Sequence, residues 1–169
     1  MNLSFKTGDA TEPDMIEGYN IILHCVNDEG VMGSGIAATI RKKFPKAYEA
    51  YAKLFTLKAS DRPTAQGQIQ VVQVDKNLFV ANLFGQSSCG DIAGFPAIRY
   101  DAIEEGLIRL RERFKKVTNT EIVLHTCRLG SGLAGGSWKR VEDIINRVFK
   151  DIPDLNIVVY DYPGSTYNP

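Results

Sequence analysis

The chain of 169 residues lacks several features that define large classes of protein. Neither charge is in excess, because 20 lysines and arginines balance 20 aspartates and glutamates. Proteins that bind nucleic acid without sequence preference normally carry a basic excess, so we do not expect that activity. The longest apolar runs, IILHCV and NLFVANLF, are far shorter than the ~20 residues of a membrane-spanning helix. The N-terminus MNLSFKTGD lacks the charged-then-apolar order of a signal peptide, and we expect no membrane partner.

Cysteine is scarce, and its placement favours the cytoplasm. The three cysteines, Cys25, Cys89 and Cys127, cannot all pair with one another within one chain. Cys25 and Cys127 lie in apolar runs typical of strands, where a reduced core thiol is the common role. Nothing near them in the sequence lowers a thiol pKa, so a nucleophilic role is disfavoured. No spacing of His, Cys, Asp or Glu is typical of a metal site, and we expect no metal and no cofactor.

Hydrophobic periodicity predicts an α/β domain. Six runs read as strands, at residues 3–6, 20–25, 68–74, 78–84, 121–126 and 156–160. Four stretches read as helices, at residues 35–44, 47–57, 98–116 and 138–150. The third and fourth strands predict an antiparallel hairpin joined at 75–77, whereas elsewhere strands alternate with helices. The prediction is a three-layer α/β/α fold around a mixed sheet of about six strands.

No linker or low-complexity tract divides the chain. We therefore expect a single domain over residues 1–169, with its core at about 3–162 and a loose tail at 163–169.

The segment GVMGSGIAATIRKKFP, residues 30–45, joins an apolar run to a helix through three glycines. Its GSGIAA matches the dinucleotide fingerprint G-x-G-x-x-A, but it begins too far after the strand, and no acidic residue ends a following strand. It is not a P-loop either, because Ile36 and Ala37 stand where Lys and Ser or Thr are needed. Glycine backbones before a helix can still cradle an anion, although a plain turn explains them equally well.

A second stretch repeats this design. IVLHTCRLGSGLAGGSW, residues 122–138, also places a strand before a glycine-rich turn and an amphipathic helix. Two such loops at the carboxyl ends of strands in one sheet can face each other across a crevice. Two anion-binding loops placed in this way suit a diphosphate better than a single phosphate.

Four segments in this order resemble the macro domain family, which binds ADP-ribose. They are TGDAT (7–11), HCVN (24–27), GVMGSGIAATIRKKFP (30–45) and LGSGLAGGSW (129–138), and the resemblance covers residues 3–162. The GVMGxGIA and GLAGGxW forms are most similar to the branch that contains the yeast ADP-ribose-1″-phosphate phosphatase and its phage and bacterial relatives. The branch that removes ADP-ribose from proteins or DNA is a close neighbour.

The resemblance implies a role for each matching residue. Asp9 accepts a hydrogen bond from the adenine amino group beside the N–H of Ala10, or the pair only forms a turn. Asn27 contacts the distal ribose, or stabilises the loop as an Asx-turn. Tyr162 stacks on adenine or is a plain edge tyrosine. The first ligand loop comprises Gly30, Val31, Met32, Gly33, Ser34, Gly35 and Ile36. The second, around the diphosphate, comprises Leu129, Gly130, Ser131, Gly132, Leu133 and Ala134.

Catalysis is less well supported than binding. Candidate groups for hydrolysing a 1″-phosphate are His24, Asn27 and Asp28, with His24 as acid or base and Asp28 orienting water. Core histidines and exposed loop acids are common alternatives, and we interpret His125 as structural. The neighbouring branch uses a lysine where this chain has Gly85 or Gln86, so its mechanism is doubtful here.

Residues 86–95 are predicted to form either a lid over the distal ribose or a simple connection into the third helix. The resulting prediction is an ADP-ribose-binding protein that dephosphorylates ADP-ribose-1″-phosphate. The alternatives are a non-enzymatic ADP-ribose reader and a hydrolase that removes ADP-ribose from protein or nucleic acid.

Overall fold

Six strands and four α-helices form in the computed structural model, which describes residues 1–61, 65–88 and 94–169. In chain order they are β1 (Asn2–Thr7), β2 (Tyr19–Asn27), α1 (Gly35–Lys43), α2 (Pro45–Lys53), β3 (Ile69–Asp75), β4 (Leu78–Gln86), α3 (Tyr100–Phe114), β5 (Ile122–Thr126), α4 (Trp138–Phe149) and β6 (Asn156–Asp161), with a short 3₁₀ turn at Ala59–Asp61.

The six strands form one mixed sheet in the order β1-β6-β5-β2-β4-β3. The first five strands of this order run parallel, and β3 pairs antiparallel with β4 as the predicted hairpin. The carboxyl ends of β1, β6, β5, β2 and β4 therefore meet along one edge of the sheet. Ligands of open α/β sheets bind at this edge.

Helices cover both faces of the sheet, which confirms the three-layer prediction. Ile21 and Leu23 of β2 pack into the main core with α3 and α4. Ile22 faces the opposite way and packs against Ile40 and Ala47, which α1 and α2 supply. The alternation follows from the two-residue period of a strand, whose successive side chains point to opposite faces.

All four helices differ from their predicted bounds: the first and fourth end one residue early, the second begins two residues early, and the third also ends two residues early. The second ends at Lys53, where Leu54 and Phe55 donate to carbonyls three residues back and Phe55 packs against the buried residues Val26, Met32 and Phe84. The third begins at Tyr100 because Ile98 is still extended and forms an antiparallel bridge with Gln86. Both shortenings reflect tertiary contacts that override helical periodicity.

The expected loose tail is wrong for the residues next to the second glycine loop. Asn168 donates its N–H to Ser131 O at 2.9 Å and accepts from Trp138 N at 2.9 Å. Two backbone hydrogen bonds thus hold the end of the chain against the start of α4.

Among the described residues, no helix combines the length and apolarity that crossing a lipid bilayer demands.

Candidate functional site

A cleft of about 630 Å³ lies along the carboxyl edge of the sheet. It takes residues from the ends of β1, β6, β5, β2 and β4 and from one face of α1. The lining comprises residues 8–11, 25–27, 31, 33–37, 39, 43, 86, 127–128, 130, 132–134, 160–162 and 165–167. Because neighbouring strands lie ~4.8 Å apart, the five strand ends span about 19 Å. The cleft is therefore suited to an extended ligand laid across the strands.

The first glycine loop ends at the N-terminus of α1, which faces the cleft. Gly35 opens the helix at φ +57°, a backbone conformation that glycine adopts without steric cost. Ser34 occupies the N-cap position but its side chain makes no capping hydrogen bond. The first N–H groups of the helix are thus directed at the cleft together with the positive end of the helix dipole.

The second glycine loop offers further N–H groups. Gly130 has φ +66°, and a Cβ there would lie 2.4 Å from Cδ1 of Ile98, so the tight turn requires glycine. Gly136 closes the turn by donating to Gly130 O at 2.8 Å. Across the described part of the chain, no acceptor takes the N–H groups of Gly132, Leu133 and Ala134. The loop can therefore offer several donors to an anion.

Asn27 lines the cleft, yet its amide organises the first loop. Its Oδ1 accepts from the N–H groups of Glu29 at 3.0 Å and Val31 at 3.3 Å. The hydroxyl of Tyr51 donates to the same oxygen at 2.7 Å, and Asn27 Nδ2 donates to Val31 O at 2.8 Å. The Asx-turn alternative is thus present in the structure, and the predicted contact with a distal ribose stays a prediction.

Asp9 forms the turn that was one of its two expected roles, and its predicted hydrogen bond with adenine stays a prediction. Its Oδ1 accepts from Thr11 N at 2.8 Å and Thr11 Oγ1 at 2.7 Å, which forms the turn after β1. Its Oδ2 lies 3.5 Å from Lys43 Nζ, and both residues line the cleft. Burial acts to raise the pKa of Asp9, but the hydrogen bonds from Thr11 and the charge of Lys43 outweigh it and lower that pKa. The carboxylate is therefore an ionised acceptor at neutral pH.

The floor of the cleft includes Cys25 and Cys127, which are free thiols. Burial raises the pKa of Cys127 to about 11. Burial, and to a lesser degree the neighbouring Cys127, also raises the pKa of Cys25. Both thiols therefore stay protonated, as expected for residues that are not nucleophiles.

His24 lies outside the cleft, so its predicted role as acid or base is wrong. It is fully buried, and its Nε2 lies 2.6 Å from Asn82 Oδ1. Because Nδ2 of Asn82 donates to Ala47 O, the Asn82 oxygen is the acceptor and His24 Nε2 carries the proton. Burial lowers the pKa of His24 to about 4, which keeps it neutral.

Asp28 is not among the residues that line the cleft, and its predicted role in orienting the reacting water stays a prediction. His125, interpreted as structural, lies outside the cleft as well. It bonds Tyr160 Oη and Asn20 Oδ1, each at 3.1 Å.

The predicted binding residues divide into two groups. Those that line the cleft are Asp9, Ala10, Asn27, Val31, Gly33, Ser34, Gly35, Ile36, Gly130, Gly132, Leu133, Ala134 and Tyr162. Those that do not are Gly30, Met32, Leu129 and Ser131. The last three are buried and support the loops from behind, whereas Gly30 turns at φ +84° against the ring of Phe55. Their positions favour scaffold roles, and their predicted ligand contacts stay predictions.

Sequence reasoning missed Lys43, Arg128 and the residues of the tail. Lys43 had a weak signal, since it follows Ile36 at helical spacing on the face of α1 that lines the cleft. No sequence signal pointed to Arg128, because its partner Asp161 lies 33 residues away in the chain. Gln86 lines the cleft at the end of β4, but residues 89–93 of the predicted lid lie outside the described residues. In the described ranges, no group of His, Cys, Asp and Glu side chains could hold a metal ion.

Comparisons with known proteins agree with this architecture, although no family model matches the chain. A solved macrodomain protein from Streptomyces coelicolor superposes with a TM-score of 0.75 at 32% identity, covering 95% of this chain and 99% of that one. The ADP-ribose 1″-phosphate phosphatase of Debaryomyces hansenii is 25% identical over 169 residues, which are 88% of this chain and 93% of that protein. A DNA ADP-ribosyl glycohydrolase of Mycobacterium tuberculosis is 23% identical, but the match spans only 43% of its length.

The likeness to the Streptomyces coelicolor protein over nearly all of both chains identifies the class: this chain belongs to the macrodomain family.

Proposed function

We propose that this protein binds ADP-ribose and hydrolyses ADP-ribose 1″-phosphate to ADP-ribose and inorganic phosphate. One observation carries the proposal: two glycine loops face a long cleft that has an ionised carboxylate at one end, and several of their N–H groups have no acceptor among the described residues. Such a cleft offers amide donors to a diphosphate at its centre and an acceptor to an amino group at its edge.

The order of the strand ends supports one orientation of the ligand. Asp9 and Ala10 follow β1 at one end and suit the donor-and-acceptor edge of adenine. The two glycine loops follow β5 and β2 in the middle and suit the diphosphate. Gln86, at the end of β4, then adjoins the distal ribose and its 1″-phosphate.

The comparisons also favour this substrate. The phosphatase relative from Debaryomyces hansenii and a second from Lodderomyces elongisporus are matched over 93% and 100% of their lengths. The glycohydrolase relatives are matched over less than half of theirs, and the chain spans only the matching part of those proteins.

The hydrolytic step needs little from the protein's side chains. A water oxygen attacks phosphorus, the bond between phosphorus and the 1″ oxygen breaks, and the water's protons pass to the phosphate and the released sugar oxygen. The phosphate itself can accept the first proton, while loop N–H groups stabilise the developing charge. The absence of His24 and Asp28 from the cleft makes us expect slow turnover.

A non-enzymatic ADP-ribose reader is the second candidate. Among the described residues at the β2 and β4 ends of the cleft, none is a histidine or a carboxylate. The glycohydrolase alternative is less favoured, because Lys43 is the only lysine among the described lining residues and lies at the Asp9 end.

We also propose that the protein forms a single domain and is located in the cytoplasm. The free thiols of Cys25 and Cys127 support the cytoplasmic location.

Titration calorimetry with ADP-ribose tests the binding. We expect Asp9→Asn to weaken ADP-ribose by roughly tenfold or more, the cost of a hydrogen bond to a charged acceptor. Asp75→Asn, at the exposed end of β3, is the matched control and should bind like the wild type. No heat from the wild type would contradict every version of the proposal.

Phosphate release then separates enzyme from reader. We expect inorganic phosphate to appear from ADP-ribose 1″-phosphate, more slowly with Gln86→Ala than with the wild type. A protein that binds ADP-ribose but releases no phosphate is a reader. Release of ADP-ribose from modified DNA or protein would instead favour the glycohydrolase.

A further inference from the structure

The residues after β6, numbers 162–168, form a C-terminal strap along one wall of the cleft. Ser165, Thr166 and Tyr167 line the cleft directly. A turn directs them there: Ser165 donates its N–H and its hydroxyl to Tyr162 O, at 2.9 Å and 2.7 Å. The strap therefore contributes three hydroxyl-bearing residues to the lining of the cleft, of which Ser165 uses its hydroxyl proton within the strap.

The far end of the strap is tied to the second glycine loop by backbone hydrogen bonds. Asn168 N donates to Ser131 O, and Trp138 N donates to Asn168 O, both at 2.9 Å. A shift of the strap would therefore move the wall of the cleft and strain the loop that follows β5.

Arg128 is the side chain that fixes the strap. Its guanidinium lies 3.8 Å from the ring centre of Tyr167 and also faces the ring of Trp138, at 5.3 Å. Asp161 accepts from Arg128 Nε at 2.6 Å and Nη2 at 2.9 Å. These two bonds set the plane of the guanidinium on which the Tyr167 ring stacks.

The charge of Arg128 is matched by Asp161, so a direct contact with a diphosphate is not its main role. The side chain is mostly buried between aromatic rings, with only 13% of its surface exposed. Its geometry suits the support of Tyr167 better than the binding of an anion.

We propose that the C-terminal strap determines specificity for the nucleoside half of the ligand, with Arg128 as its positioning residue. This inference rests on the proposed ADP-ribose binding. The strap runs from the end of β6, next to the Asp9 loop, to the second glycine loop after β5. It therefore flanks the part of the cleft between the nucleobase and the diphosphate, where its hydroxyl groups meet the adenine-side ribose.

Three ligands separate this proposal from a general effect on the fold. ADP contains the nucleoside half, ribose 5-phosphate contains the distal half, and ADP-ribose contains both. We expect Tyr167→Ala to weaken ADP-ribose and ADP by the same factor, roughly five- to thirtyfold, because the cation–π stack and the wall it supports are lost. Ribose 5-phosphate, followed by NMR titration, should bind Tyr167→Ala as it binds the wild type.

Two further variants test the part played by Arg128. Tyr167→Phe keeps the ring on the guanidinium and should retain most of the ADP affinity. Arg128→Met should weaken ADP as Tyr167→Ala does, and the double variant should be no weaker than either single one. If Arg128→Met fails to fold, the comparison of Tyr167→Ala with Tyr167→Phe still shows whether the Tyr167 ring is needed for ADP binding.

Three results would overturn the inference. An unchanged ADP affinity in Tyr167→Ala would show that the strap does not contribute to binding of the nucleoside half. Equal weakening of all three ligands shows a general effect on the fold. Wild-type protein that binds no ADP-ribose overturns the proposed function itself, and the strap proposal with it.

Discussion

Lys43 Nζ lies 3.5 Å from Oδ2 of Asp9 at one end of the cleft, and it also donates to Glu12 Oε1 at 2.9 Å. The contact joins the last residue of α1 to the loop after β1. It leaves Asp9 ionised and oriented, with one oxygen committed to Thr11 and the other near the cation.

This relationship predicts a pH effect on binding. Against the effect of burial, the hydrogen bonds from Thr11 and, to a lesser degree, the charge of Lys43 lower the pKa of Asp9, so the carboxylate stays an acceptor below its ordinary titration range. Lys43→Met should raise the pKa of Asp9, and ADP-ribose affinity should then begin to fall at a higher pH as the solution is acidified. Calorimetry across the acidic range measures this shift. Lys42→Met, on the exposed side of α1, is the control, and an identical pH profile for both variants would contradict the prediction.

Two glycine substitutions test whether the second glycine loop binds the ligand. A Cβ at Gly132 meets no heavy atom within 4 Å, and the residue lines the cleft. Gly132→Val should therefore leave the melting temperature unchanged while reducing ADP-ribose affinity at least about tenfold, because the new methyl groups occupy the anion site.

Gly130→Ala is the contrasting variant in the same loop. It should lower the melting temperature, because φ is +66° and the new Cβ would collide with Ile98. Normal ADP-ribose binding by a folded Gly132→Val variant would show that this loop is not part of the ligand site.

The Tyr51 hydroxyl supports the first loop from outside the cleft. Tyr51→Phe removes its bond to Asn27 Oδ1 and should cost about 1 kcal/mol in the free energy of unfolding. It should also weaken ADP-ribose several-fold, since the Asx-turn of Asn27 loosens. Tyr48→Phe, on the same helix, is the matched control. Equal affinities of the two variants would show that the loop holds its shape without this hydroxyl.

His24 predicts a pH dependence of stability. Its pKa is about 4 in the folded protein against 6.5 as the ordinary value, so the unfolded state binds a proton first. The shift has no effect on stability above about pH 6.5, and it destabilises the folded protein progressively as the pH falls towards 4, by about 3 kcal/mol in all.

His24→Gln keeps a donor for Asn82 and removes the titration. Chemical denaturation between pH 7.5 and about 5 should show a shallower loss of stability than in the wild type. ADP-ribose affinity at pH 7.5 should stay unchanged, because the residue lies outside the cleft. A large loss of phosphate release in a stable His24→Gln variant would restore a catalytic role for this histidine.

Much of the fold follows from local pattern. Two-residue alternation in β2 and three- and four-residue steps in α4 are encoded within each segment, so strands and helices are predictable one at a time. The same holds for the glycine turns, since the left-handed backbone at Gly35 and Gly130 is a property of the residue type. Element ends were less predictable, because Phe55 and Ile98 follow tertiary partners.

The site was predictable in outline only. Loop residues such as Gly132 and Asp9 reach the cleft because they directly follow parallel strands. His24 shows the limit: it lies only three residues before Asn27, yet its side chain enters the packing between the sheet and α2, where Asn82 holds it.

The sequence by itself determined the alternation of strands and helices, the two glycine turns and the resemblance to the macrodomain family, because each depends on residues close together in the chain. Only the tertiary structure decided the rest. Lys43 meets Thr11 across 32 residues, and Arg128 meets Asp161 across 33. Such contacts depend on the order of the strands in the sheet, which brings distant segments to one edge and which no local pattern encodes.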